Sequence, residues 1–270
     1  MAKKMRGMFS TLAVLLFCMG ILAFVIPLAS QGIRSSHAVS SMIGSDTGMA
    51  RYAAIGDQLR KIGATAYNIT VSNNTVELRE SFPVRSISQE LEAFRAFEQN
   101  YSDVNVSMET GNLANGTFLI IPSNVTISHA QDRAYIVPSG AGSGEQVAGY
   151  VILLNFPAAA VDSAGWETIS RDNGSGGLPV RVHVQDATYS TYLDFYESVS
   201  RTGTSRMNIT KDGALVGYVV FSGPSAVEIY SKEKMDLKAL AEFRNEVRVE
   251  TGDLLSVRAA ANKTARLRVA

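Results

Sequence analysis

One cysteine, three histidines and one tryptophan are spread over 270 residues, and the formal charge sums to zero. Each shortage closes off a class of chemistry. The lone thiol, Cys18, excludes an internal disulfide framework, so any exported domain must be held by its core alone. Zero net charge leaves no cationic excess to neutralise phosphates, which argues against a nucleic-acid partner. His37, His129 and His183 have no partner at metal-ligand spacing such as His-x-x-x-His or Cys-x-x-Cys, and no metal or cofactor is expected. There is no Gly-x-Ser-x-Gly elbow. The glycine-rich runs at Gly140-Ala-Gly-Ser-Gly and Gly174-Ser-Gly-Gly lack the Lys-Ser/Thr ending of a phosphate loop and read as loops. No residue set stands out as catalytic, and the chain reads as a non-enzyme.

What is present is one long apolar run. Phe9 to Ala29 (FSTLAVLLFCMGILAFVIPLA) carries no charged side chain. At roughly 1.5 Å per residue it is long enough to cross a hydrocarbon core of roughly 30 Å as a helix. A removable secretory signal has a shorter apolar region, roughly 7–15 residues, and a small-x-small cleavage site that is not well formed before Gln31. The run therefore reads as a retained membrane helix over 8–30, behind a basic leader over 1–7. Lys3, Lys4 and Arg6 precede it and only Arg34 follows closely, which keeps the N-terminus cytoplasmic and places everything after about Ser30 outside the cell.

Asparagine supplies a second, independent signal. Asn68, Asn73, Asn100, Asn105, Asn115, Asn124, Asn173, Asn208 and Asn262 each begin an Asn-x-Ser/Thr acceptor pattern for N-glycosylation. From the Ser and Thr content, chance would place about two asparagines in that pattern. All nine lie beyond the apolar run, on the side where glycans are attached. Dense N-glycosylation without disulfides fits an archaeal cell surface better than an animal one. At 46% hydrophobic and 19% charged, the remainder suits a globular ectodomain.

The first sixty or so residues resemble those of archaeal type IV pilin-like proteins. The resemblance rests on the basic leader ending in Arg6-Gly7, the apolar helix starting at Met8, Pro27, and an amphipathic extension into a β-rich region. It implies leader cleavage between Gly7 and Met8 and self-association of the N-terminal helices in a filament. Leu12 stands at the fifth processed position, where the family commonly has glutamate, and this ranks a plain single-pass anchor ahead of a filament subunit.

Beyond the anchor, Val39, Met42, Ile43, Met49, Ala50, Ala53, Leu59 and Ile62 recur at spacings of three and four and predict an amphipathic helical stalk over 31–65. Four motifs then return in order about a hundred residues later. Phe82-Pro-Val-Arg matches Leu178-Pro-Val-Arg, and Leu91-Glu-Ala-Phe matches Leu193-Asp-Phe-Tyr. The stretch from Gly111 through Ile121-Pro-Ser-Asn-Val matches that from Gly213 through Gly223-Pro-Ser-Ala-Val, and Gly144-Glu matches Gly252-Asp. The fold class expected is α+β and β-rich, with two tandem similar β-rich domains over 66–157 and 165–270, each with a side helix. In the first, Tyr67–Val71 and Thr75–Arg79 form a hairpin across Ser72-Asn-Asn, and a helix follows Ser86. Val147–Phe156, nearly all apolar, reads as a central strand covered on both faces. In the second, Tyr189–Val199 and Lys232–Phe243 read as helices. The function expected is a non-catalytic, single-pass surface glycoprotein acting by binding or scaffolding. Its partners would be the lipid bilayer and an extracellular protein or glycan.

Overall fold

A computed structural model describes residues 46, 48–101, 105–188, 193–258 and 264–268, with side chains described as far as 255. The expected leader, the membrane helix over 8–30 and the start of the stalk lie outside the described residues. Among the described residues no helix is long and apolar enough to cross a membrane.

The described chain opens with a helix, α1 (48–64), in which Ile55, Leu59 and Gly63 recur every four residues and turn inward. Gly63 permits close approach, since a Cβ there would sit 3.1 Å from Leu113 Cδ1. Met49, Ala50 and Ala53 of the expected stripe face solvent instead. Next come β1 (Asn68–Ser72) and β2 (Thr75–Phe82), joined by a turn in which Asn73 takes a φ of 55°, a left-handed conformation asparagine tolerates. Helix α2 (Ser88–Tyr101) starts where the Ser86 hydroxyl accepts a hydrogen bond from Ser88 N–H at 3.4 Å. Arg51 of α1 reaches buried Glu98 of α2 at 2.8 Å and ties the two helices together.

Then follow β3 (Asn105–Met108), the one-turn helix α3 (Gly111–Ala114), β4 (Phe118–Ile121), β5 (Val125–Ala130), β6 (Arg133–Pro138), the one-turn helix α4 (Ser143–Gln146) and β7 (Val147–Phe156). The rest is strand: β8 (Ser163–Thr168), β9 (Leu178–Asp186), β10 (Leu193–Val199), β11 (Thr204–Lys211), β12 (Ala214–Ser222), β13 (Ala226–Ser231), β14 (Met235–Phe243), β15 (Arg248–Glu250), β16 (Leu254–Arg258) and β17 (Thr264–Arg268).

A six-stranded sheet runs β1-β2-β14-β7-β9-β10, an eight-stranded sheet runs β15-β4-β5-β6-β13-β12-β11-β8, and a three-stranded sheet runs β17-β16-β3. All pairings are antiparallel except β7 with β9. The two large sheets face each other across one core. Tyr150 of β7 has its ring 6.3 Å from Phe221 of β12, and its hydroxyl donates to the Ser225 carbonyl at 2.8 Å. The β-rich expectation holds. The tandem arrangement does not, because each of the three sheets takes strands from both 66–157 and 165–270. β14 lies between β2 and β7, β13 pairs with β6, and β16 pairs with β3. The repeated motifs reduce to two alike hairpins, β4–β5 and β12–β13, in one sheet, each turning through a left-handed residue, Asn124 or Ser225. Leu91-Glu-Ala-Phe is helix, whereas its counterpart from Leu193 is strand.

The two helices expected in the second half are strands for a physical reason. In β14 the residues Met235, Leu237, Ala239, Ala241 and Phe243 are buried alternately, and pairing on both sides overrides the helix preference of Lys-Ala-Leu-Ala-Glu. In β10, Asp194 lies opposite His183 and accepts both guanidinium nitrogens of Arg181 at 3.0 and 2.6 Å, fixing an extended register against β9. The link Ala158–Gly165 also contributes, since β8 begins at Ser163.

Candidate functional site

The register of the six-stranded sheet places polar residues in rows on its outer face. Ser81 of β2 lies opposite Asp236 of β14, Asp236 opposite Asn155 of β7, and Asn155 opposite Gln185 of β9. The neighbouring row is Arg79, Lys238, Leu153, His183 and Asp194. These two rows, as far as His183 and Gln185, floor a cleft of about 750 Å³, walled by Ala64, Thr65 and Ala66 near the end of α1 and by Pro83 and Arg85 beyond β2, with Asn68 on its rim. β7 was expected to be covered on both faces. Its inward residues Ile152, Leu154 and Phe156 are fully buried, while Val151, Leu153 and Asn155 are only half-buried on the cleft side.

The cations of the cleft are already compensated. Arg79 hydrogen-bonds Glu77, and the Lys238 ammonium lies 3.3 Å from the other Glu77 oxygen. Burial pushes the Glu77 carboxyl up, and hydrogen bonds from Arg79 and Lys238 more than reverse this, holding it below the usual carboxylate range. Arg85 is held by Glu90. Asp236 Oδ1 accepts from the Ser81 hydroxyl at 2.6 Å. Asn155 and Gln185 make no side-chain hydrogen bond among the described residues.

Beneath this face, Glu80 points inward in a row with Leu237, Leu154 and Val184. Its carboxylate meets His129 of β5, Nε2 to Oε1 at 2.6 Å, with both side chains at most 1% exposed. The contact is a close approach rather than an aligned hydrogen bond, and neither Glu80 oxygen has a hydrogen-bonding donor among the described residues. On the other side of the ring, His129 Nδ1 lies 2.5 Å from the Gly116 carbonyl, so Nδ1 carries a proton. Tyr67 stacks on the imidazole at 5.1 Å, and its hydroxyl is pushed up first by burial and then by the Glu80 charge. Gly116, at φ 58°, makes the cluster sterically feasible, since a Cβ there would lie 2.7 Å from the Tyr67 ring and 2.8 Å from His129 Nδ1. Sequence inspection registered His129 as a histidine without a nearby partner. Nothing local connects it to Glu80 on a different sheet.

The acceptor asparagines are dispersed over the surface. Asn68, Asn73, Asn100, Asn105, Asn115, Asn124 and Asn173 are exposed at strand ends, turns and on α2. Asn208 differs: half-buried in β11, it donates to Glu167 at 2.9 Å and accepts from Arg206 at 2.9 Å. Asn262, Gly7 and Met8 lie outside the described residues. None of the eight described acceptors sits on β2, β14, β7, β9 or β10, the five strands that carry the polar rows. Among the described residues no group of three or more His, Cys, Asp or Glu side chains is placed to hold a metal ion. Compared with protein-family models, with curated proteins and with solved structures, the chain finds no match in any of the three.

Proposed function

We propose that this chain is a non-catalytic, N-glycosylated cell-surface protein, anchored by the apolar segment over 8–30 with its N-terminus in the cytoplasm, and that it works by contact through the outer face of its six-stranded sheet. The observation that carries this reading is the distribution of acceptor asparagines. Seven of the eight described are exposed, and all eight avoid the strands that floor the cleft. Glycans at the positions other than Asn68 would coat the turns, the helical side and the sheet margins and leave the floor of the cleft bare, with Asn68 alone on its rim.

Intact-mass and glycopeptide analysis of the protein from its native membrane tests the reading. An N-terminus at Met1 or Ala2, with glycan mass on the exposed asparagines, supports the anchored glycoprotein. An N-terminus at Met8 with the same glycans would favour the pilin-like filament subunit instead. A chain bare at every acceptor refutes the surface reading.

A further inference from the structure

The cleft has a chemical character that narrows what it can hold. Its half-buried amides, Asn155 and Gln185, are unspent, and Asp236 uses only one carboxylate oxygen, on Ser81. An amide offers donors and an acceptor, and a carboxylate offers acceptors only. A partner that both donates and accepts at each point satisfies all three, and a hydroxyl does that. These side chains are reached by solvent, so a hydroxylated occupant exchanges their hydrogen bonds to water for its own.

Charge sharpens the choice. Arg79, Lys238 and Arg85 are each held by a carboxylate, so they present no free positive field to an anion. Leu153, one row over, supplies an apolar patch beside the polar row. With strands about 4.8 Å apart, the four positions from Ser81 to Gln185 extend over about 14 Å, room for a ligand with hydroxyls at repeated intervals.

We propose that this cleft is a binding site for a neutral saccharide, held by Asn155, Gln185 and the free oxygen of Asp236. The proposal rests on the reading of this face as the contact surface. The saccharide has two sources: a glycan on Asn68, whose side chain stands on the rim, or a glycan on another molecule.

The test uses the full chain purified from its native membrane, its Asn68→Gln variant, and each of these carrying Asn155→Ala with Gln185→Ala. Each is titrated calorimetrically with neutral manno-, cello-, malto- and chito-oligosaccharides and with polygalacturonate as the anionic comparison. If the glycan of Asn68 fills the cleft, only the Asn68→Gln chain binds a neutral oligosaccharide. If the cleft serves an external glycan, both chains bind one. In either case the double alanine substitution weakens binding at least tenfold, while the thermal unfolding midpoint stays unchanged. Failure of every neutral oligosaccharide to bind either chain, survival of binding in the double variant, or preference for polygalacturonate overturns the proposal. The mass of the same preparations reports the glycans separately, so loss of the surface reading and loss of the saccharide site are told apart.

Discussion

Replacing His129 with Phe tests the core cluster directly. The substitution keeps a flat ring against Tyr67 but removes the imidazole nitrogen that meets Glu80, leaving a carboxylate that is 0% exposed in a row with Leu237, Leu154 and Val184. Breaking a buried pair by deleting one partner costs about 3–5 kcal/mol, because the remaining group is stranded without compensation. A domain of this size is stable by about 5–15 kcal/mol, so His129→Phe removes about a fifth or more of the total. Glu80→Leu alone costs less, because the imidazole keeps its Nδ1 hydrogen bond to the Gly116 carbonyl. The double substitution Glu80→Leu with His129→Phe restores most of the loss, because an apolar pair of similar volume needs no desolvated charges. Guanidinium unfolding followed by the single tryptophan, Trp166, which lies 6.1 Å from Phe221, gives the three midpoints against wild type. A His129→Phe cost under about 1 kcal/mol, or single-variant effects that add within about 0.5 kcal/mol, would refute the argument, since contacting groups must couple.

Glycine offers a pair of opposite outcomes. Gly116→Ala retains the Asn115-x-Thr acceptor but forces a Cβ onto Tyr67 and His129 at a left-handed φ, and lowers stability by about 2 kcal/mol or more. Gly56→Ala, in α1 with nothing within 4 Å of its Cβ, raises stability by up to about 1 kcal/mol; both are read as shifts in the denaturation midpoint. On the alkaline side, Tyr218 is pushed up to about 12, first by burial and then by its hydrogen bond to Glu228. An unfolded tyrosine ionises near 10 while the folded one keeps its proton, so stability falls as pH rises from about 10 to about 12. Tyr218→Phe flattens that decline, and denaturation midpoints measured at pH 9 and 11 report it; an equally steep decline in the variant would contradict the assignment. Glycopeptide occupancy provides the last check. The seven exposed asparagines carry glycan, whereas Asn208, held by Glu167 and Arg206, is found bare.

Much of the strand content was legible because alternation of apolar and polar residues is a local signal. Both edges of β7 could be read from its apolar run, and the hairpin at Asn73 was legible too, although β2 runs three residues past the expected end at Arg79. Helix α2 was legible from its start at Ser86, although Phe97 and Tyr101 on it are exposed. What failed was pairing. β14 has helix-forming residues but an alternating burial imposed by β2 and β7, neighbours that lie far earlier in the chain. Similar motifs suggested similar domains, yet a Gly-Pro-Ser or Ile-Pro-Ser turn encodes only its own hairpin. The candidate site was less legible still. In β9 the valines Val180, Val182 and Val184 alternate with Arg181, His183 and Gln185, but the row partners of His183 come from strands whose order no local pattern specifies.

The topology also bears on how the sheet edges are protected from pairing with another chain. An open sheet edge is a template for pairing with another chain, and the six-stranded sheet has two, β1 and β10. The β10 edge is guarded by the chain itself. Arg171 bridges to Val199 and reaches Glu197 with two hydrogen bonds at 2.9 Å, and Asp172 N–H donates to the Ser198 carbonyl at 3.0 Å. The β1 edge has no such cover among the described residues, and Val71 on it is 38% exposed. Its two ends are instead the acceptors Asn68 and Asn73. Under the proposed function, glycans at both ends of a five-residue strand exclude a second strand along its whole length. Glycans on Asn68 and on Asn73 just beyond the strand would thereby close the edge beside the cleft, which accounts for two acceptors lying so close together there.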